Sequence, residues 1–179
     1  MGRLIFYTGG ARSGKSRMAE RRAAEFQHVV YVATAQAYDD EMAERIAMHK
    51  FARPAHWTTL EEPLALNSVL EAALKQAPDA ILLDCLTVWL SNCLLRDWQD
   101  WNPAREQNVL DDLQNATRLL QCTATVTSIV VSNEVGSGIV PDNKMARAFR
   151  DLAGRANQIM GASSDEVFLI AAGLSVKLK

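Results

Sequence analysis

The sequence predicts an α/β protein in which a mainly parallel sheet carries helices on both faces. Short apolar runs rich in β-branched and aromatic residues alternate with longer helical patterns along almost the whole chain. Parallel strands are buried on both faces and are joined by helical crossovers, so this alternation favours that architecture. The 179 residues suit one domain, 1–179, because no internal repeat, low-complexity tract or linker interrupts them.

Composition argues against several classes of protein. Hydrophobic residues make up 49% and charged residues 22% of the chain, and the net charge of −2 lacks the basic footprint of a nucleic-acid-binding protein. No apolar run approaches the length that a bilayer requires, and the first apolar run stops at Gly9, which argues against a signal peptide. Three cysteines without C-x-x-C spacing suit reduced thiols. We therefore expect a cytoplasmic protein without a membrane span or a nucleic-acid partner.

A glycine-rich loop follows the first strand. Residues 9–16, GGARSGKS, fit the phosphate-binding pattern G-x-x-x-x-G-K-[ST], between an apolar strand at 4–8 and a helix at about 15–26. Glycines let the backbone turn its N–H groups inward, and the helix start offers unpaired N–H groups and a positive dipole end. Lys15 adds a charge for the β- and γ-phosphates, and the Ser16 hydroxyl can bind Mg²⁺. A plain glycine turn with an exposed Lys15 is the alternative.

Asp84 closes the third predicted buried strand, AILLD at 80–84, whose other residues are all apolar. In P-loop proteins an acidic residue at this place assists Mg²⁺. We therefore predict that Asp84 holds the ion with Ser16, directly or through water, and a helix-capping role is the alternative. Together these residues and Lys15 predict a site for a Mg²⁺-bound nucleoside triphosphate. They leave the reaction open, because many activities share such a fold.

The remaining elements continue the alternation. Pro63 suits the first position of a helix to about residue 76, and Asn102 followed by proline opens a helix to about residue 121. Asp39 or Asp40 can cap a helix that reaches about Phe51. Helical patterns also occupy 86–96 and 142–160. Further strands are predicted at 28–34, 57–60, 126–132, 167–171 and 174–178.

The position of His49 in the sequence allows two interpretations of its role. Met42, Ile46 and His49 are spaced as on one face of the helix, which by itself favours a buried and inert histidine. A neutral imidazole is also a competent nucleophile toward phosphorus at cytosolic pH.

The neighbours of His49 favour the nucleophile. Its helix follows a strand whose carboxyl end, residues 33–35, should lie on the ligand side of the sheet. Lys50 and Arg53 could hold a triphosphate, and Glu61 lies in a segment able to fold back.

The whole chain resembles the bifunctional adenosylcobinamide kinase / adenosylcobinamide-phosphate guanylyltransferase family of cobalamin biosynthesis. The phosphate motif alone is widespread, whereas H-K-x-x-R-P together with N-E-V-G-x-G-I-V-P is specific. The stretches that carry the likeness are GGARSGKS at 9–16, YVATAQAYDDEMAERIAMHK at 31–50, RPAHWTTLEEP at 53–63, ILLDCLT at 81–87, NEVGSGIVP at 133–141, FRDLAGRANQ at 149–158 and DEVFLIAAGLSVKLK at 165–179.

The resemblance implies two reactions in a RecA-like P-loop domain that assembles as a homotrimer. Adenosylcobinamide is phosphorylated with ATP or GTP, and GMP is then transferred from GTP to adenosylcobinamide phosphate, releasing pyrophosphate. The resemblance makes His49 the catalytic residue, which carries GMP. The implied nucleotide contacts are Gly9, Gly10, Ala11, Arg12, Ser13, Gly14, Lys15, Ser16, Ala33, Thr34, Ala35, Lys50, Arg53, Glu61 and Asp84.

Two departures from the family pattern matter. Some members have a second histidine where this chain has Met48, and some have Glu where Asp84 stands. A monofunctional small-molecule kinase with a structural His49 is the first alternative to the bifunctional enzyme. A nucleotide-dependent switch or assembly module without a small substrate is the second.

Overall fold

The computed structural model describes residues 2–37, 40, 44, 46–47, 50–51, 53–122 and 125–179. They form one seven-stranded sheet. The strands are β1 (Leu4–Gly9), β2 (Val29–Ala33), β3 (Thr58–Glu61), β4 (Ala80–Asp84), β5 (Thr127–Asn133), β6 (Glu166–Ala171) and β7 (Leu174–Lys177). Their order across the sheet is β3-β2-β4-β5-β1-β6-β7. All neighbouring pairs are parallel except β6 and β7, which form an antiparallel hairpin.

Helices connect these strands as the alternation predicts. They are α1 (Lys15–Ala23), α2 (Leu66–Leu74), α3 (Leu86–Arg96), α4 (Pro103–Gln121) and α5 (Lys144–Ser163), with a short 3₁₀ turn at Trp98–Asp100. The described residues 40, 44, 46, 47, 50 and 51 are also helical, which agrees with the helix predicted there. Asp39, one of its two predicted caps, lies outside the described residues.

Two helix starts differ from the prediction. The proposal that Pro63 begins α2 is wrong, because the Glu62 carboxylate accepts hydrogen bonds from the N–H groups of Leu64 and Ala65 and holds a turn that delays the helix to Leu66. The last helix begins at Lys144, two residues later than expected, because the side chain of Asn143 caps it. Asn102 caps α4 as predicted, accepting from the N–H groups of the first helical turn.

The sheet has a separate apolar core on each face. Alternate strand residues point to opposite faces. On β1, Ile5 and Tyr7 join the core that contains Ala19 of α1, whereas Leu4 and Phe6 join the larger core, to which α2, α3, α4 and α5 contribute. Helices therefore cover both faces, and the predicted fold class is confirmed by this architecture.

The parallel register brings the predicted site to one edge of the sheet. Gly9 at the end of β1 pairs with Asn133 at the end of β5, and Ala33 at the end of β2 pairs with Asp84 at the end of β4. Asp84 also pairs with Val131 of β5. Ligands of open α/β sheets bind at this carboxyl edge.

No helix in the described ranges is both long enough and apolar enough to cross a membrane.

The adjacent glycines of the loop differ in what a side chain would meet. A Cβ atom on Gly9 would lie 2.2 Å from the carbonyl oxygen of Ile170 on β6, whereas a Cβ on Gly10 would meet no atom of the described residues within 4 Å. The atom that a Cβ on Gly9 would meet belongs to the backbone, so the clash cannot be relieved by moving a neighbouring side chain.

We predict that Gly9→Ala lowers the free energy of unfolding by about 1–3 kcal/mol, the usual effect of overpacking, because β1 and β6 must separate. Gly10→Ala is the matched control and should change it little. Urea denaturation of both variants measures the difference. Equal stabilities for the two variants would contradict the steric explanation.

Candidate nucleotide site

The loop between β1 and α1 turns through left-handed backbone at two positions. Arg12 has a φ of 56° and Gly14 a φ of 98°. Gly14 occupies the N-cap of α1 and supplies no side-chain cap. The first N–H groups of α1 are thus left to an external acceptor, which is the arrangement that binds anions at helix starts.

The turn of the β6–β7 hairpin supports this loop. The N–H group of Gly173 donates a hydrogen bond to the Ser13 carbonyl oxygen at 2.9 Å. A Cβ on Gly14 would lie 3.4 Å from the Gly173 Cα, so the two backbones are in close contact. The loop is held by the far end of the chain as well as by its own strand and helix.

Lys15 crosses the loop. Lys15 is only 7% exposed, and its Nζ donates a hydrogen bond to the carbonyl oxygen of Gly10 at 3.1 Å. Burial lowers the pKa of Lys15, and the Asp84 carboxylate partly opposes that shift. The loop therefore holds a partly desolvated cation where phosphates are expected.

Asp84 is held on both of its oxygens. The Tyr31 hydroxyl donates to Oδ2 at 2.9 Å, and the Ser16 hydroxyl lies 3.5 Å from Oδ1. Burial, followed by the Asp84 charge, raises the pKa of Tyr31 well above its ordinary value, so the phenol stays a neutral donor. The predicted pairing of Ser16 with Asp84 in space is present.

The Thr34 hydroxyl is hydrogen-bonded to the backbone of Cys85. It is fully buried, and its hydroxyl donates to the Cys85 carbonyl oxygen at 2.8 Å and accepts from the Cys85 N–H at 3.1 Å. The peptide bond between Asp84 and Cys85 is cis. Asn92, also buried, donates to the carbonyl oxygens of Thr34 and Pro63. These bonds fix the end of β2 against the end of β4.

The Cys85 thiol at this junction is a neutral group. Burial, followed by the Asp84 carboxylate, raises its pKa to about 12. It therefore lines the site as a small apolar side chain.

Basic and aromatic residues form the wall beyond β2. The Arg53 guanidinium carbon lies 3.6 Å from the centre of the Tyr31 ring, and Trp57 stacks on the same ring at 6.4 Å. Within the described parts of the chain, the buried Nε and Nη1 of Arg53 have no hydrogen-bond partner. Lys50 pairs with Glu61 at 2.5 Å, and both side chains are about half exposed.

These groups surround one pocket of about 740 Å³. It is lined by Ala11, Arg12, Ser13, Gly14, Lys15, Ser16, Arg17, Tyr31, Ala33, Ala35, Ile46, Lys50, Arg53, Glu61, Asp84, Cys85, Val88 and Asn133. A smaller pocket of about 290 Å³ adjoins it and shares Lys50, Arg53 and Glu61.

Most of the predicted nucleotide contacts meet in the larger pocket. Three do not line it: Gly9 and Gly10 lie where the loop leaves β1, and Thr34 is turned toward Cys85. His49, the predicted catalytic residue, lies outside the described residues.

Sequence reasoning missed two pocket residues of chemical interest. Tyr31 lies within an apolar strand, where an aromatic residue signals only core packing. Asn133 gave a usable signal, because it is a polar residue directly after a buried strand and so reaches the ligand edge of the sheet.

Comparison with solved structures shows the fold class. An ATPase of a type III secretion system of pathogenic bacteria superposes with a TM-score of 0.56 and 13% identity, over 99% of this chain and 58% of that one. The ATP synthase subunit NeqB of Nanoarcheaum equitans gives a TM-score of 0.60 and 11% identity, over 95% of this chain and 45% of that one. The chain thus spans about half the length of these structures, and the likeness is one of fold alone.

Comparison of sequences shows the family. The family model described as cobinamide kinase / cobinamide phosphate guanyltransferase matches residues 5–178. The chain belongs to this family. The membership expected from the sequence is therefore confirmed.

Curated relatives match the chain over almost their whole length. The bifunctional adenosylcobalamin biosynthesis protein CobU of Salmonella typhimurium is 47% identical, over 98% of this chain and 99% of that protein. Its namesake in Escherichia coli is 42% identical over the same shares. The protein CobP of Pseudomonas aeruginosa is 48% identical, over 96% of this chain and 94% of that protein. This member of the cobinamide kinase / cobinamide phosphate guanyltransferase family thus resembles them from end to end.

We predict that Lys15→Met weakens GTP binding by at least about tenfold, since it removes the cation that the loop holds in the pocket. The unliganded protein should keep or raise its thermal midpoint at neutral pH, because the substitution removes a buried charge. Isothermal titration calorimetry and thermal denaturation measure the two effects. A lower midpoint together with unchanged GTP affinity would contradict this role.

The pH dependence of stability gives a second measurement on the same pair of proteins. Because the folded-state pKa of Lys15 is lowered, the burial penalty is complete below that pKa and declines as pH rises toward the unfolded-state pKa. The stability difference between Lys15→Met and the unsubstituted protein should therefore shrink in alkaline solution. The exposed Lys75→Met, which removes a lysine outside the pocket, is the control, and an equal change with pH in both variants would contradict the burial explanation.

Proposed function

We propose that this protein phosphorylates adenosylcobinamide and then transfers GMP from GTP to adenosylcobinamide phosphate, as one nucleotide-binding domain working in the cytoplasm. Family membership over residues 5–178 supports the two reactions. The observation that carries the proposal is the shared pocket, in which the phosphate loop meets Lys50, Arg53 and Glu61 of the family-specific stretch. A plain kinase could bind the phosphates of its nucleotide with the loop and Asp84, without these three residues.

In the first reaction the substrate hydroxyl oxygen bonds to the γ-phosphorus as the bond to the β-phosphate oxygen breaks. The products are adenosylcobinamide phosphate, a nucleoside diphosphate and a proton. The helix start, Lys15 and Arg12 surround the phosphates with positive charge, so the protein contributes positioning and charge stabilisation.

The residues present fit a magnesium ion. The Ser16 hydroxyl and the Asp84 carboxylate approach each other at the pocket wall, and oxygen donors of this kind are the ligands that Mg²⁺ prefers. When bound there, the ion would neutralise phosphate charge. Tyr31 orients the carboxylate that would hold it.

In the second reaction we assign the nucleophile to His49. A ring nitrogen bonds to the α-phosphorus of GTP as the bond to the β-phosphate oxygen breaks, and pyrophosphate leaves. The phosphate of adenosylcobinamide phosphate then bonds to the same phosphorus and frees the histidine. Ile46 and Lys50, three residues before and one residue after His49 in the sequence, line the pocket, which supports this assignment.

The homotrimer implied by the family likeness is part of the same proposal. The large apolar side chains of Ile139, Leu174 and Val176 are exposed in the single chain, and contact with other subunits would remove such surface from water.

We predict that GTP alone leaves a covalent GMP adduct on the protein. His49→Ala should abolish the adduct and GMP transfer, whereas the exposed His56→Ala, its matched control, should retain both. Incubation with α-labelled GTP, followed by peptide mapping, makes the measurement. A histidine phosphoramidate should be labile in acid and stable in alkali.

Three outcomes would change the proposal. Label mapped to Lys50 would move the nucleophile to the amine next in sequence. No label at all, together with intact corrinoid phosphorylation, would favour a monofunctional kinase. Nucleotide turnover that does not depend on a corrinoid would favour a switch or assembly module.

A further inference from the structure

We propose that Asn133 contacts the terminal phosphate of the nucleoside triphosphate through its side-chain amide, and that Thr87, Ser132 and Asn157 position it. This inference rests on the proposed function only for its kinase step. Asn133 ends β5, which lies between the loop strand β1 and the Asp84 strand β4. It lines the same pocket as Lys15 and Asp84.

A closed ring of hydrogen bonds fixes the backbone of Asn133. Its N–H group donates to the Thr87 hydroxyl, and its carbonyl oxygen accepts from the Asn157 side-chain nitrogen at 3.0 Å. The Ser132 hydroxyl donates to the Asn157 side-chain oxygen at 2.7 Å and lies 3.0 Å from the Thr87 hydroxyl.

The donors of this ring can be assigned. The Ser132 proton is used toward Asn157, so Thr87 must be the donor in the bond between the two hydroxyls. Each group then gives one proton to the next, and the ring returns to Asn133. Thr87 and Ser132 are 4% and 0% exposed, so water does not compete for these bonds.

The ring uses only the backbone of Asn133, and the residue lines the pocket, so its side-chain amide is not needed to hold the ring together. The next residue continues the restraint, because the N–H of Glu134 donates to the Gly9 carbonyl oxygen at 2.9 Å. A short side chain on a backbone held at both peptide groups has few orientations left, so little entropy is lost when it binds.

Position and chemistry together indicate the terminal phosphate. In the register, Asn133 lies two residues beyond the partner of Asp84, further toward the carboxyl edge and directly opposite Gly9 at the start of the loop. Lys50, Arg53 and Glu61 lie on the other side of Asp84, toward β2 and β3. A neutral amide can donate to a phosphate oxygen there without the repulsion that a third carboxylate would add beside Asp84 and Glu61.

The test compares the affinities for GTP and GDP, using α,β-methylene analogues so that no GMP adduct can form. We expect Asn133→Ala to weaken the triphosphate analogue by about tenfold to a hundredfold, the usual effect of losing one hydrogen bond to a charged group, with the diphosphate analogue nearly unchanged. Asn133→Asp should weaken the triphosphate further by repulsion. Equal losses for both analogues, or no loss for either, would overturn the proposal.

Two serines on the same strand separate positioning from stability. Ser132→Ala opens the ring and should lower the preference for the triphosphate several-fold. Ser128→Ala removes an equally buried hydroxyl that donates to the Leu120 carbonyl oxygen away from the pocket, and it should lower only the thermal midpoint. An unchanged preference in Ser132→Ala, or an equal fall in both variants, would contradict the positioning role.

Kinetics of the two reactions complete the test. In Asn133→Ala, kcat for corrinoid phosphorylation should fall by at least tenfold, and formation of the GMP adduct should fall much less. A protein that forms no corrinoid phosphate even when unsubstituted would defeat the proposed function, and the binding comparison would still decide the role of Asn133. If Asn133→Ala does not fold, the equally sized Asn133→Asp carries the binding comparison.

Discussion

The parallel pairing of β1, β5 and β4 is the constraint on which the site depends. Parallel strands end at the same edge of a sheet, so the register alone brings Gly9, Asn133 and Asp84 together from distant parts of the sequence. The alternation of side chains along these strands buries an apolar core on each face, and a shift of the register by one residue would exchange the two faces. Packing energy that stabilises the fold therefore also places the polar groups of the pocket.

Much of this could be predicted from the sequence, because strong local signals agreed with the global fold. The limits of β4 and α3 follow from apolar runs, and the start of α4 follows from a capping asparagine and a proline. The start of α2 could not be predicted, because it depends on how the Glu62 carboxylate satisfies two N–H groups and on contacts of Asn92 and Trp89 from a neighbouring helix.

Site residues that belong to a recognisable motif could be predicted from the sequence. Site residues whose contacts depend on the tertiary structure could not. The phosphate loop and Asp84 have recognisable neighbours in the sequence. Thr34 has the right position for a nucleotide contact, yet its hydroxyl makes two hydrogen bonds with the Cys85 backbone. Those bonds depend on the pairing of two strands and could not be predicted from the sequence. Tyr31 is the converse, a strand residue whose hydroxyl reaches a carboxylate at the pocket wall.

The contact between the hairpin turn and the phosphate loop links two parts of the chain that are about 160 residues apart in sequence. Linkage requires such a coupling to act equally in both directions. We therefore expect a ligand that orders the loop also to restrain β7, which is an edge strand of the sheet formed by the described residues. Amide protons along that strand would then exchange more slowly when a nucleotide is bound, making the edge of the sheet a remote reporter of occupancy.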